Sequence, residues 1–181
     1  MGLKRLLFVF AGLLTFGFSS PAQAEFLSVS ADLPIGHSFR NSSINADGTS
    51  GFGLQVKFPF LVGVGLEQYD TKLKGSTHHV LTDLYDVFYQ LPIPVINITV
   101  GVGYGKTQLQ CDACTGITTY KDANTSTNFV QLGWPILPLI DLHVGLHNTY
   151  GTIESTDVAT GTITKSDIGG AVSSLGLSIG F

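Results

Sequence analysis

The chain has 181 residues, of which 44% are hydrophobic and only 12% charged; nine basic and thirteen acidic side chains leave a net charge of −4. An acidic balance of this kind excludes nucleic acid as a partner. So few charges cannot coat a water-soluble domain, for which roughly 25% is usual.

At the amino terminus, Lys4 and Arg5 precede an apolar stretch from Leu6 to Phe18 that is interrupted by Thr15 and two glycines. Ala22-Gln23-Ala24 then supplies the small-x-small pattern of a signal-peptidase site. The reading is a secretory signal peptide over residues 1–24, cleaved before Glu25. As a membrane anchor the run is too short, because a spanning helix needs roughly 20 apolar residues. Residues 25–181 form one exported domain, and loss of Lys4 and Arg5 takes its charge to −6.

Along that domain apolar and polar residues take turns, the period of a strand with one greasy face. Phe26 to Ile35 opens, with Leu27, Val29, Ala31, Leu33 and Ile35 opposing Ser28, Ser30 and Asp32. Gly51 to Phe58 and Leu61 to Asp70 follow as a hairpin, and His78 to Gln90 is the fourth segment. Val95 to Lys106 is the cleanest, with Ile96, Ile98, Val100, Val102 and Tyr104 against Asn97, Thr99, Gly101, Gly103 and Gly105. Thr127 to Trp134, Leu139 to Thr149 and Ile168 to Phe181 complete eight. On the fourth segment Asp83 and Asp86 fall on opposite faces, so a bulge is expected there, or a rim position for Asp83.

Proline cannot donate to a ladder, and Pro59, the pair Pro92 and Pro94, and the pair Pro135 and Pro138 mark three tight connections where strands stop. Between them lie longer polar stretches at residues 37–50, 72–77, 107–127 and 152–167, expected as flexible solvated loops. Short turns alternating with long loops, an even strand count and aromatic residues near the strand ends (Phe58, Tyr104, Trp134, Tyr150, Phe181) fit a transmembrane up-and-down antiparallel β-barrel of eight strands. A secreted lipocalin-type barrel would turn its apolar residues inward and carry charge outside, which this composition cannot supply.

The inward face is then polar. An eight-stranded barrel is just wide enough to be filled by its own side chains. With the second hairpin turning at Phe60, Lys57 opposes Gly63, Gln55 opposes Gly65 and Glu67 opposes Gly53, so large meets small. Asp32, Gln55, Lys57, Glu67, Asp141, His143 and His147 are the expected members of a hydrogen-bonded lumen network. Asp141, His143 and His147 share a strand face, but residues two apart on a strand are about 6.6 Å distant and those four apart about 13 Å. No metal site and no cofactor is therefore expected. His37 and Ser38 fall in a loop and make no nucleophile-base pair on a strand, so no catalysis is expected. Cys111 and Cys114, in an exported loop without a second pair, suggest a small disulfide, the alternative being a redox dithiol.

The signal peptide, the eight alternating segments, the proline-bearing turns and the terminal Gly-Leu-Ser-Ile-Gly-Phe resemble the small outer-membrane β-barrel proteins of Gram-negative bacteria, the class of the OmpA transmembrane domain and the OmpX-like and opacity-type proteins. That resemblance implies residence in the cell outer membrane, among its lipid and lipopolysaccharide. It also implies assembly by periplasmic chaperones and the barrel-insertion machinery, which would read Leu175, Leu177, Ile179 and Phe181. Activities in the class diverge. The expectation is a structural or surface-interaction role with an unidentified extracellular ligand; the alternatives are a narrow passive channel or a lipid A-modifying hydrolase.

Overall fold

The computed structural model describes residues 27–91, 93, 96–111 and 118–181. The signal peptide, Pro92, Pro94 and Cys114 lie outside the described residues. Ten strands occur among those described: β1 (Ser28–Phe39), β2 (Ala46–Lys57), β3 (Val62–Leu73), β4 (His78–Leu91), β5 (Asn97–Cys111), β6 (Thr118–Lys121), β7 (Ala123–Leu137), β8 (Ile140–Asp157), β9 (Ile163–Asp167) and β10 (Gly170–Gly180). Eight of them form an antiparallel barrel in the order β1-β2-β3-β4-β5-β7-β8-β10, closed by pairing of β10 with β1. Closure leaves the sheet without an edge, the condition for a sheet to stand in hydrocarbon.

The outward alternation is the expected one. Val64, Val87, Val102, Val144 and Leu177 are all exposed, and they form a belt that meets lipid. Phe58, Trp134 and Phe181 lie at its turn end, and Tyr104 and Tyr150 toward the loop end. The terminal strand is locked by reciprocal backbone bonds between Leu27 and Phe181.

Three details of the strands correct or refine the sequence reading. No bulge interrupts β4: its pairing with β3 and β5 runs without a register shift. Asp86 faces inward and is buried, while Asp83 faces outward and accepts a 2.7 Å bond from Gln68 Nε2. Pro34 sits at a bulge, where the β1–β10 register shifts between Pro34 and Gly36. Pro135 lies inside β7 rather than beyond its end, tolerated because the β7–β8 register shifts between Pro135 and Leu137. A proline at an irregularity forfeits no regular ladder bond. The tight turn after Pro59 carries Leu61 at φ 63°, and the β7–β8 turn carries Leu139 at φ 71°.

The larger correction concerns the outer loops. Strands continue into all four polar stretches, and β8 runs 18 residues to Asp157. Its outer end is flanked by β6 on one side and β9 on the other. Glu154 on this central strand receives Lys165 at 2.8 Å and Lys121 at 3.7 Å, so one carboxylate clasps all three strands. The β8–β9 hairpin turns on Asp157, whose Oδ1 accepts the backbone N–H groups of Ala159 and Thr160 and the Thr160 hydroxyl.

Two outcomes follow for the fold. Leu177→Arg, at the middle of the belt, should cost about 2–4 kcal/mol of stability in lipid and Tyr104→Arg, near the edge, about 0–1 kcal/mol, as read by urea titration in liposomes. The bonds from Thr160 hold the Asp157 carboxyl below the usual carboxylate range. The hairpin is thus favoured above the ordinary aspartate value and loosens as acid protonates the folded carboxylate, which should appear as loss of amide-exchange protection at Ala159 and Thr160.

Candidate functional site

Inward-pointing side chains stack in layers from the turn end of the barrel to the loop end. The sequence-expected network occupies the lower two layers. At the turn end Lys57, Gln90, Asn97, Asp141 and Ser178 surround a polar cavity of about 30 Å³. Gln90 Nε2 donates to Asn97 Oδ1 at 2.7 Å, and Asn97 Nδ2 donates in turn to Asp141. Asp141 is only half-buried, at the rim of the network rather than inside it.

The next layer carries the charge. His143 Nε2 donates to Asp32 Oδ1 at 2.7 Å, and its Nδ1 meets the Ser178 hydroxyl at 3.2 Å. Four residues farther along the same face, His147 Nδ1 lies 3.0 Å from Glu67 Oε1, an ion-pair distance off the hydrogen-bond line. The His147 ring stacks on Phe129 with centroids 4.8 Å apart. Asp32, Glu67, His143 and His147 are all at least nine-tenths buried. The two histidines of β8 therefore serve two different carboxylates. Among the described residues, no three His, Cys, Asp or Glu side chains come together as a metal site.

Glycine makes this filling possible. The register places Lys57 opposite Gly63, Gln55 opposite Gly65 and Glu67 opposite Gly53, the pairing expected from the sequence. Phe88 lies so close over Gly63 that a Cβ there would stand 2.1 Å from its ring, and Phe129 leaves 2.3 Å at Gly101. The carboxylate of Asp86 fills the space above Gly103. Gly101 and Gly103 are thus a shelf for side chains from β4 and β7, while at Gly105 the backbone of Asp83 and Leu84 comes close. Across the barrel, among the described residues, β1 and β2 pair only from Ser28 to Asp32. Pro34 has no N–H to offer, and Gly51 takes φ of 155°, so the ladder stops there. A cleft of about 10 Å³ remains at this seam, lined by Pro34, Phe52, Glu67 and His147 among others.

Above the charges the sequence reading missed two layers. Thr71, Thr82, Thr107 and Thr125, from four adjacent strands, are buried within the lumen. Thr82 and Thr107 hydroxyls meet at 2.9 Å and Thr107 and Thr125 at 2.7 Å, while Thr71 engages His37 Nδ1 at 3.1 Å. His37 lies in β1 rather than a loop, buried against Phe39, and Ser38 points to the opposite, exposed face. The final layer is apolar: Phe39, Val80, Ala123, Ile153 and Ile168 form a core at the outer end, with Ile44, Leu73, Leu109 and Tyr120 packed on it. Val80, Thr82 and Ile168 fall in segments read as strands, whereas Phe39, Thr107, Ala123, Thr125 and Ile153 fall in stretches read as loops.

His79 faces outward onto the Asp70 carboxylate at 2.8 Å, while His78, on the same face as Val80, bonds the Tyr120 hydroxyl at 3.1 Å at the outer end, away from the charged layer. Cys111 ends β5, and its expected pairing with Cys114 lies outside the described residues.

This architecture is that of the small eight-stranded outer-membrane β-barrels. The fold is similar to the crystal structure of Neisserial surface protein A, with a TM-score of 0.58 at 12% identity, covering 88% of this chain and 99% of that one. It is equally similar to the N-terminal β-barrel domain of OprF from Pseudomonas aeruginosa, with a TM-score of 0.59 at 11% identity over 88% of this chain and all of that domain. The outer membrane protein AlkL gives a TM-score of 0.56 at 15% identity, covering 90% and 93% of the two chains. No family model and no curated protein matches the sequence.

Removing one partner of a buried pair strands the other in a medium that cannot solvate it. His143→Ala should therefore destabilise the barrel by about 3–5 kcal/mol, and replacing both Asp32 and His143 by leucine by much less. Urea unfolding of the two variants in liposomes reads the difference.

Proposed function

We propose that this outer-membrane barrel is a non-catalytic structural and surface-interaction protein: its barrel is an anchor and its outer sheet is the part that meets the environment. The observation that carries this reading is the filling of the lumen. Phe88, Phe129 and the Asp32–His143 and Glu67–His147 pairs occupy its middle, and a cavity of about 30 Å³ at the turn end holds about two waters. A permeating solute would have to break buried ion pairs. The outer sheet, in which β6 and β9 pair with the end of β8, offers an exposed surface, as a protein that meets its environment requires.

In this reading the outward row Leu175, Leu177, Ile179 and Phe181 is what periplasmic chaperones and the insertion machinery recognise during assembly, and outer-membrane lipid and lipopolysaccharide cover the belt afterwards. The test is electrical. The purified full-length mature chain in planar bilayers is expected to give no steady conductance steps. Phe88→Ala combined with Phe129→Ala, which empties the shelf over Gly63 and Gly101, should introduce them. Regular steps from the unaltered chain would replace the anchor by the narrow passive channel.

A further inference from the structure

The outer apolar core is not completely filled. A cavity of about 130 Å³ lies within it, walled by Ile44, Leu73, Val80, Leu109, Ile153 and Ile168, with the Tyr120 ring, Ser155 and Ser166 on its border. We propose that this cavity is a binding site for a small apolar molecule, of the size of a single aromatic ring or a short alkyl chain.

Size and chemistry both select that class. A dry cavity of about 150 Å³ lined by Leu, Ile and Phe is known to take benzene or xenon, so about 130 Å³ suits a guest of that size. Water is a poor occupant, because each molecule needs two to four polar partners and six of the lining side chains offer none. Ions, sugars and amino acids fail for the same reason, since each would bury polar groups without partners.

Most of the walls stand on hydrogen-bonded strands. They come from β3, β4, β5, β6, β8 and β9 and from the chain around Ile44 and Ile168. The Glu154 clasp ties β6 and β9 to β8, and the Tyr120 hydroxyl is fixed by His78. The hydrogen-bonded threonines Thr82, Thr107 and Thr125 lie one strand position below Val80 and Ala123, so the apolar space ends on a polar floor. Because the cavity stands beyond the charged layer, a guest reaches it from outside the cell without crossing the lumen. The site is therefore independent of whether the barrel conducts.

The experiment uses the full mature chain in lipid nanodiscs, with isoleucine and valine methyl groups followed by NMR while benzene is added. Benzene also dissolves in the bilayer, so the lipid-facing Ile98 and Ile179 methyls serve as the internal control. The expected result is saturable shifts at Ile44, Ile153, Ile168 and Val80 together with linear, unsaturated shifts at Ile98 and Ile179. Val80→Phe should fill the space and abolish the saturable component, with heat-modifiable gel migration confirming that the barrel still forms. Ile153→Phe provides the same test from the opposite wall should Val80→Phe fail to fold. Linear shifts at every methyl would overturn the proposal, as would saturable shifts that survive in a folded cavity-filling variant.

Discussion

A peptide group in hydrocarbon has no water to turn to, so each N–H and C=O must find its partner within the protein. Closure of the sheet answers that demand here, through the pairing of Ser28–Phe39 with Gly170–Gly180. The consequences run outward and inward from this ring of ladders. Outward, the belt of Val64, Val87, Val102, Val144 and Leu177 is apolar. Inward, the remaining side chains are confined to a tube whose width the strand number sets, and they must fill it.

Filling that tube is a problem of volume before it is one of charge. At Gly63, Gly101, Gly103 and Gly176 the side chains of Phe88, Phe129, Asp86 and His143 stand at distances no Cβ could occupy. Each bulky group thus lies across an absence on the next strand. With the volume settled, the charges can be paired. The imidazoles of His143 and His147 stand against the carboxylates of Asp32 and Glu67, both pairs being shut off from solvent. Polar residues buried in this way specify the packing of the lumen more than they stabilise it, because desolvation offsets much of their attraction.

The outer end follows different physics. Beyond the lipid the outward face meets water, and the inward face can be apolar like the core of a soluble protein. Phe39, Val80, Ala123, Ile153 and Ile168 use that freedom. The barrel thereby changes from a polar interior with an apolar exterior to the reverse within one continuous sheet, and the threonine layer is the boundary. Threonine suits that boundary, having a methyl for one side and a hydroxyl for the other. Its hydroxyls bond one another rather than calling for charge.

The two-residue period alone determined the barrel class, the eight spanning segments, the lipid-facing residues and the pairing of Lys57, Gln55 and Glu67 with glycines. Each is a consequence of local alternation and a tight turn, both of which are read along the chain. It also placed Asp32, His143 and His147 on the inward face. Tertiary structure alone decided which carboxylate each histidine meets, because those partners come from strands 111 and 80 residues away in sequence and depend on the shear of the closed ring. It also decided the facing of Asp83 and Asp86, where an inward apolar residue, Leu84, hid the direction of the alternation. The outer apolar core was illegible for a related reason: its members are scattered singly through Thr-, Ser- and Asn-rich stretches, and only the continuation of β1, β4, β7 and β8 past the membrane brings them into contact.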